Sequence, residues 1–493
     1  MTEQSQTDPD TPGHEAEEVS GVGSEEVSGV GSGEVSGTAV PPEIFKAYDV
    51  RGIYGEQMDG ETNYLLGRAY ARVLADLRGK ATAELRVGLG RDMRIQAPEM
   101  ARRLRDGLVD EGCTVLDAGM VGTEMLYYLV GSRELDGGAM VTASHNPKAY
   151  TGVKMVREGA LALSGEAGIG DMRDLIIGGL PPDPPGGGSV EAVDVYDGFH
   201  AHALSLIDPS AIKPLKVVVD GGNGMAGPMV GPLLDRLGLE LIETYWIPDG
   251  EFPDHEPNPL LPENRQFVID RVLDEDADLG IAWDGDADRC FFIDDTGAFV
   301  DGDFLTALLS QQVLAKSPGA SILYDVRASR AVPDTVEANG GTAHVNRVGH
   351  AFFKISMRER AATFGGEVSG HYYFRDFWNA DSGTLPALLV LELLSVDGRS
   401  MSELVGQFRE RYFISGEINS EVDDQRARME AIAEHYSGGE VSWLDGVSVD
   451  YPEWHFNVRP SNTEPLLRLN LESLISYEDM ERKRDEVLNL IRS

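Results

Sequence analysis

At 493 residues the chain is too long for one core and is expected to divide into about three or four domains. Its 83 Asp and Glu against 42 Lys and Arg give a formal net charge of −41, a field that repels nucleic acid and anionic membranes and excludes both as expected partners. Two cysteines, Cys113 and Cys290, cannot build a disulfide framework. No run nears the roughly 18 apolar residues of a membrane span, and no basic-then-apolar leader opens the chain, so a soluble cytoplasmic protein with reduced thiols is expected.

Arg far outnumbers Lys. With the acidic excess, this suggests a halophilic surface suited to high salt, where the screening length shortens to roughly 3 Å at 1 M. Over residues 1–40 the stretch GVGSEEVSG is echoed as GVGSGEVSG, and no aromatic residue occurs. Such a composition cannot bury enough surface to offset the entropy of ordering, so a disordered acidic tail is expected there, dispensable for activity.

Folded sequence is predicted to begin near 44–52. Short apolar runs then alternate with helical patterns: a strand over 85–89, a helix over 97–111, a strand over 114–116, a helix over 124–130 and a strand over 139–141. This alternation argues a mixed α/β sheet. The Pro/Gly cluster 180–188 marks a connector. The pattern then restarts with a strand over 216–220 entering a Gly-rich turn, a helix over 227–237, and a strand over 278–283. A third block opens with a helix over 304–315 and a strand over 322–326. The ends of 87–92, 217–220 and 322–326 read as equivalent points of three related domains. Beyond Ser400 the helix 425–435 and the alternation over 454–458 predict a smaller, more antiparallel last domain.

Several polar clusters carry chemistry. Ser144, in Thr142-Ala143-Ser144-His145-Asn146-Pro147, stands at a sharp turn after the strand 139–141, where its hydroxyl can meet a ligand; a turn hydroxyl bonded to its own backbone is the plain alternative. Lys154 follows on. Asp284, Asp286 and Asp288 alternate along one turn, and three carboxylates so close invite a cation among hard oxygen ligands, Mg²⁺ or Ca²⁺. An EF-hand would need Gly where Arg289 stands, and helices where strands are predicted on both sides. A solvated acidic turn is the competing reading. Arg459-Pro460-Ser461-Asn462-Thr463-Glu464-Pro465 offers a guanidinium, hydroxyls and an amide on one loop, which suits a phosphate. Glu367 and Ser369, two apart, would project to one side of an extended segment and hold two hydroxyls of a polyol; a Gly-flanked hairpin turn is the alternative. His145, His350 and His371 are loop histidines, more often structural donors than catalysts. Arg51, Lys154, Arg289 and Arg459 concentrate scarce positive charge on loops, which implies an anionic ligand.

Taken together, the motifs TASHNP, DGDADR, GEVSGH and RPSNTEP, with the opening AYDVRG, occur in the order of the α-D-phosphohexomutase family, and the chain resembles its phosphomannomutase/phosphoglucomutase branch from about residue 42 to the end. The resemblance implies an α/β fold class: three similar mixed α/β domains plus a smaller α+β C-terminal domain around a central cleft, with boundaries at 41–190, 191–298, 299–411 and 412–493. It implies that Ser144 is the phosphorylated serine and that Asp284, Asp286 and Asp288 bind Mg²⁺ together with the Ser144 phosphate. Lys154 and His350 match positions for proton transfer and charge stabilisation, and Arg51 and Arg289 match phosphate contacts near the metal, beside His145. Glu367, Ser369 and His371 match the sugar loop, and Arg459, Ser461, Asn462 and Thr463 the loop that grips the phosphate not being transferred. A hexose 1,6-bisphosphate would be intermediate and activator, hexose phosphates the only partners, and the protein a monomer or weak homo-oligomer. Two departures from the family pattern are Ala287, where Gly is common, and Arg347-Val348 ahead of His350. The rivals are a phosphoglucosamine mutase, against which Asn462 argues since that branch usually has Gly there, and a non-catalytic sugar-phosphate binder.

Overall fold

The computed structural model describes residues 40–165, 167–461 and 466–493. The acidic tail expected over 1–40 lies, except for Val40, outside the described residues, as do Asn462 and Thr463.

The first sheet contains β1 (Val50–Ile53), β2 (Arg86–Arg91), β3 (Thr114–Met120), β4 (Gly137–Val141), β5 (Tyr150–Arg157), β6 (Leu161–Ala162) and β7 (Ser189–Ala192). Its order is β1-β5-β4-β2-β3-β7, with β6 also on β5. The second contains β8 (Lys216–Asp220), β9 (Glu240–Thr244), β10 (Leu279–Trp283), β11 (Cys290–Asp294) and β12 (Phe299–Val300), in the order β12-β11-β10-β8-β9. The third contains β13 (Ser321–Asp325), β14 (Thr342–Asn346), β15 (Phe364–Gly366), β16 (Tyr372–Phe374) and β17 (Ala380–Asp381), in the order β14-β13-β15-β16-β17.

Counted from its own start, each of the last two sheets reads 2-1-3-4-5: the first strand lies parallel between the second and third, and the fourth and fifth return antiparallel. The first sheet repeats this in β3-β2-β4-β5-β6, with β7 and β1 added at its edges. The strands β2, β8 and β13 are therefore equivalent, as the three predicted strand ends anticipate. Parallel strands of this kind are buried and continuously apolar; all five residues of β4 and of β10 are buried.

The fourth sheet is wholly antiparallel: β18 (Phe413–Ile414), β19 (Ile418–Glu421), β20 (Glu440–Ser442), β21 (Val447–Tyr451), β22 (Trp454–Pro460) and β23 (Leu466–Ser473), with β18-β23-β22-β21-β20 as its path and β19 on β23.

The largest apolar cluster joins the first three units, with Leu126, Val219, Phe304 and Leu388 in one core. The fourth keeps a core of its own around Ile432, Phe456, Leu469 and Val487. A helix absent from the sequence reading, Gly60–Arg78, starts where Asp59 accepts the N–H of Thr62 at 2.8 Å and packs against the helix Ala97–Asp110. Only glycine fits at that crossing: a Cβ on Gly67 would stand 2.1 Å from the Leu104 carbonyl oxygen, and one on Gly107 2.2 Å from that of Tyr64. The cluster 180–188 ends in β7, which returns to the first sheet beside β3 before the chain moves on.

Candidate active site

The three repeats deliver function at the same place. In each sheet the third strand is parallel and the fourth antiparallel, so the chain must reverse between them. Those reversals are the Ser144 turn between β4 and β5, the Asp284 to Arg289 turn between β10 and β11, and the Glu367 turn between β15 and β16.

Ser144 holds a left-handed backbone, φ 50°, which a non-glycine residue adopts only when its surroundings impose it. Its N–H donates to Thr142 Oγ1 at 2.8 Å, and its carbonyl accepts from Arg94 Nη2 at 2.8 Å. Gly285 leaves room for this seat, since a Cβ there would lie 2.5 Å from the Ser144 carbonyl oxygen. The Ser144 hydroxyl donates to Asp284 Oδ2 at 2.7 Å and lies 3.2 Å from His145 Nδ1. The serine turn of one repeat thus meets the carboxylate turn of the next.

Asp284, Asp286 and Asp288 are all buried. Lys154, on β5, reaches Asp286 Oδ2 at 2.7 Å and Asp288 Oδ2 at 2.5 Å. Arg289 donates to Asp284 Oδ2 from Nε at 3.0 Å and Nη2 at 2.8 Å. The hydroxyls of Thr123 and Thr142 both donate to Asp286 Oδ2. Even so, Asp286 Oδ1 and Asp288 Oδ1 are buried with no hydrogen-bond partner among the described residues. Ligand oxygens of the three aspartates lie within 4.8 Å of one another. Burial pushes the Asp284 and Asp288 carboxyls up, with Asp286 adding to both. Burial opposes ionisation of Asp286 as well, but Lys154 holds it low. Orphaned hard oxygens among crowded buried carboxylates fit a divalent cation.

Arg51 donates to Asn146 Oδ1 and pairs with Asp49, which sets it beside the serine turn. His145 is held neutral by burial and by Arg289, and His371 likewise. The His350 ring lies between Tyr48, centroid distance 5.4 Å, and His371, 6.2 Å; burial and Lys354 bring its pKa down to about 4.

The reading of Glu367 and Ser369 as parts of an extended segment is corrected. β15 ends at Gly366, and Gly370 N–H donates to the Glu367 carbonyl at 3.0 Å, closing a hairpin turn. The side chains still converge, because Ser369 Oγ donates to Glu367 Oε2 at 3.0 Å and lies 3.1 Å from His371 Nδ1. Burial and the nearby Asp325 carboxylate raise Glu367 to about 7.

Arg459 and Ser461 form a separate group in the fourth domain. Glu417 gathers Arg459 at 3.0 Å, Arg468 at 3.1 Å and Arg327 at 3.6 Å, and Arg468 reaches Ser461 Oγ at 3.4 Å. Arg327 connects this group to the Glu367 turn, since it binds Asp325 in two places, at 3.0 and 2.8 Å, and Asp325 Oδ2 also accepts the Val368 N–H at 2.9 Å.

Arg94, Arg327, Thr123 and the pair Lys354–Asp381, 2.6 Å apart and fully buried, went unnoticed in the sequence. A signal existed for two of them. Asp92-Met93-Arg94 and Asp325-Val326-Arg327 are the same Asp-x-Arg step at the ends of the equivalent strands β2 and β13. Nothing local marks Lys354, which lies in the helix His350–Glu359.

Three repeated α/β units that bring a strained serine, a buried trio of carboxylates and the Glu367 turn to their matching strand reversals, beside a fourth antiparallel unit, define a class: a multidomain α/β protein with a buried acidic site that could hold a metal ion. Models of the phosphoglucomutase/phosphomannomutase domains match this chain one after another, α/β/α domain I over 42–170, domain II over 197–297, domain III over 301–412 and the C-terminal domain over 417–490. The chain belongs to the phosphoglucomutase/phosphomannomutase family. A relative from Xanthomonas campestris pv. campestris described as phosphohexose mutases is 42% identical over 454 residues, 91% of this chain and 99% of its own. The phosphomannomutase of Escherichia coli K12 is 41% identical over 456 residues, 91% of this chain and 98% of its own. The crystal structure of a phosphoglucomutase/phosphomannomutase family protein from Burkholderia thailandensis superposes with a TM-score of 0.84 at 34% identity, covering 92% of this chain and 97% of that one.

Proposed function

We propose that the protein is a phosphohexose mutase that moves a phosphoryl group between the 1- and 6-hydroxyls of mannose and glucose phosphates through a phosphorylated Ser144. The observation that carries this reading is the Ser144 hydroxyl, 2.7 Å from Asp284 at the mouth of a buried carboxylate trio. Asp284, Asp286 and Asp288 would hold Mg²⁺. Bound there, the ion supplies charge neutralisation at the transferring phosphoryl group.

The chain's own groups do the rest. Phosphoryl transfer has a loose transition state, so positioning and charge dominate. Burial works against the Lys154 charge, but Asp286 and Asp288 favour its protonated form, which places a positive charge beside the transferring phosphoryl group. His350, beside His371, is assigned to proton transfer and charge stabilisation at the attacking sugar hydroxyl. Arg51 and Arg289 contact the phosphate near the metal. Glu367, Ser369 and His371 read sugar hydroxyls, and Arg459, Ser461, Asn462 and Thr463 grip the other phosphate; the last two lie outside the described residues. The hexose 1,6-bisphosphate formed in the first transfer turns over, and its second phosphate returns to Ser144.

The sugar must be read in both orientations, and turning it over exchanges the 3- and 4-hydroxyls. An acceptor at Glu367 and a hydroxyl at Ser369 serve either arrangement, so the 2-position goes largely unread.

The reading extends to organisation and place. Each sheet belongs to one domain, with the boundaries expected at 190 and 298 moved past Ala192 and Val300, because β7 pairs with the first sheet and β12 with the second. No helix among the described residues is long and apolar enough to cross a membrane; the proposed setting is the cytoplasm, with dissolved hexose phosphates as substrates.

Intact-mass measurement should find one phosphate on the protein, lost in Ser144→Ala along with mutase turnover. Steady-state assays should accept glucose and mannose 1-phosphates and disfavour glucosamine 1-phosphate. Normal turnover by Ser144→Ala would end the proposal, and a preference above roughly 10³-fold between the two hexoses would show that the 2-hydroxyl is read directly.

A further inference from the structure

In each repeat the turn after the first strand braces the functional turn after the third. In the second repeat, Met225 N–H donates to the Gly285 carbonyl inside the aspartate turn at 2.9 Å. In the third, Asp325 at the end of β13 accepts the Val368 N–H inside the sugar turn at 2.9 Å. The first-strand turns are also alike in chemistry. Each begins with a buried aspartate whose Oδ1 accepts the N–H two residues on: Asp92 from Arg94 at 3.0 Å, Asp220 from Gly222 at 3.0 Å, Asp325 from Arg327 at 2.8 Å. Each aspartate has a basic partner. Arg94 Nε stands 3.3 Å from Asp92, and Arg327 Nη2 2.8 Å from Asp325. Where the second repeat has Gly222 instead of arginine, His255 Nε2 comes to Asp220 at 3.1 Å.

Arg94 is the brace of the first repeat, and its position is unusual. Its side chain is 1% exposed, and among the described residues its one ion-pair contact is with Asp92. Its other guanidinium donors go to main-chain carbonyls of the serine turn: Nη2 to Ser144 at 2.8 Å and Asn146 at 2.6 Å, Nη1 to Pro147 at 3.0 Å and Tyr150 at 3.3 Å. The turn therefore wraps a single fixed cation. From the neighbouring unit, the Phe252 ring covers the guanidinium at 5.1 Å, and Gly250 packs against the backbone of Met93 to Ile95. A planar fork with fixed donors can impose this geometry, whereas an ammonium cannot span the same carbonyls.

We propose that Arg94 is the positioning residue of phosphoryl transfer. By gathering four carbonyls of the 144–150 turn it holds Ser144 in its left-handed backbone and its oxygen at Asp284, without itself reaching the substrate. The inference rests on Ser144 being the group that carries the phosphoryl, as proposed above.

If so, loss of Arg94 should lower kcat and spare binding, because the groups assigned to the sugar and the distal phosphate lie in the third and fourth domains. Arg94→Lys and Arg94→Met would be assayed beside the unchanged protein with glucose 1-phosphate, glucose 1,6-bisphosphate and Mg²⁺. Circular dichroism and thermal unfolding check the fold, and intact mass follows phosphate on Ser144. The expected result is a fall in kcat of about 10²-fold in Arg94→Met, the size a misplaced reacting group produces. KM should stay within about 2-fold, phosphate on Ser144 should be gained more slowly from the bisphosphate, and Arg94→Lys should recover only part of the loss. A folded Arg94→Met with kcat within about 2-fold of normal overturns the proposal, as does a loss seen wholly in KM. Should Arg94→Met fail to fold, Asp92→Asn/Arg94→Met, which leaves no lone buried charge, is read by the same criteria, as is Arg94→Lys. Failure of the mutase reading itself is separately visible, since the unchanged protein would then show neither turnover nor phosphate on Ser144.

Discussion

At the scale of single residues, two turns of the site each hold a non-glycine residue in the left-handed region. Ser144 has φ 50° and Ala287, within the aspartate turn, has φ 58°. The methyl of Ala287, where the family commonly has glycine, is fully buried. Replacing it by glycine relieves about 1 kcal/mol of left-handed strain, but forfeits about 0.8 kcal/mol of methyl burial and adds unfolded-state entropy. These offset, so Ala287→Gly should change stability by less than about 1 kcal/mol in urea unfolding, whereas Ala287→Val, branched at the same φ, should cost over about 2 kcal/mol. Equal effects would show that the turn can take another conformation. Lys154 gives a second prediction. Its ammonium occupies oxygens of Asp286 and Asp288 that a metal would share. Lys154→Met should therefore lower kcat roughly 10²-fold while Mg²⁺, followed by calorimetry, binds no more weakly. Unchanged turnover would leave Lys154 a structural counterion.

Between elements, one tie is hidden from the sequence. Glu124, in the helix Thr123–Ser132, accepts the Thr384 N–H at 3.2 Å and the hydroxyls of Ser382 and Thr384, so a side chain of the first domain caps the helix Thr384–Asp397 of the third. Burial raises this carboxyl from 4.5 to about 8. The sign follows from linkage: between those values the native state keeps a proton that the unfolded chain has released, so stability falls as pH rises from about 4.5 to about 8 and is level beyond. Unfolding by urea across that range should show this decline, and Glu124→Gln, which keeps the shape but cannot ionise, should flatten it; a parallel decline in both proteins would assign the slope elsewhere. This contact also shows where sequence reading stops. Ser144, the aspartate trio and Arg459 stand out in the sequence because each belongs to a short run of polar residues at an apolar strand end. The brace at Arg94 and the caps of Glu124 do not, because their partners lie 50 and 260 residues away. At Glu367 the sequence leaves an extended segment and a hairpin turn both open, because Gly366 and Gly370 permit either, and the pairing of β15 with β16 decides for the hairpin. Repetition was visible as alternating strands and helices, whereas the common 2-1-3-4-5 order is a property of pairing that no local pattern carries.

Over the whole molecule, a net charge of −41 acts against compactness, and the domains differ in how they resist it. The first three share one apolar core; the fourth, with its own, reaches that core through Ile414 and Leu474 and meets the third through polar contacts as well. Arg330 donates to the carbonyls of Tyr451 at 2.6 Å and Pro452 at 2.9 Å and pairs with Asp450 at 3.1 Å; Asp445 accepts the Val348 N–H at 2.9 Å. Salt has two opposed effects here. It weakens partly exposed ion pairs such as Arg330–Asp450, each worth under about 1 kcal/mol, and it screens the summed repulsion of an acidic surface as the Debye length falls from about 10 Å at 0.1 M to about 3 Å at 1 M. A few pairs are lost against a repulsion that every acidic residue feels, so screening wins. Thermal unfolding should move upward from 0.1 to 1 M KCl, and the fourth domain, least tied by apolar contact, should unfold as a separate earlier transition at low salt that merges with the main one at high salt. Sucrose at matched osmolality, which stabilises without screening, should raise the midpoint less and leave the two transitions apart. Equal stability at both KCl concentrations would mean that the acidic surface imposes no electrostatic load on the fold, and a rise reproduced by sucrose would assign the effect to solvent exclusion instead of charge.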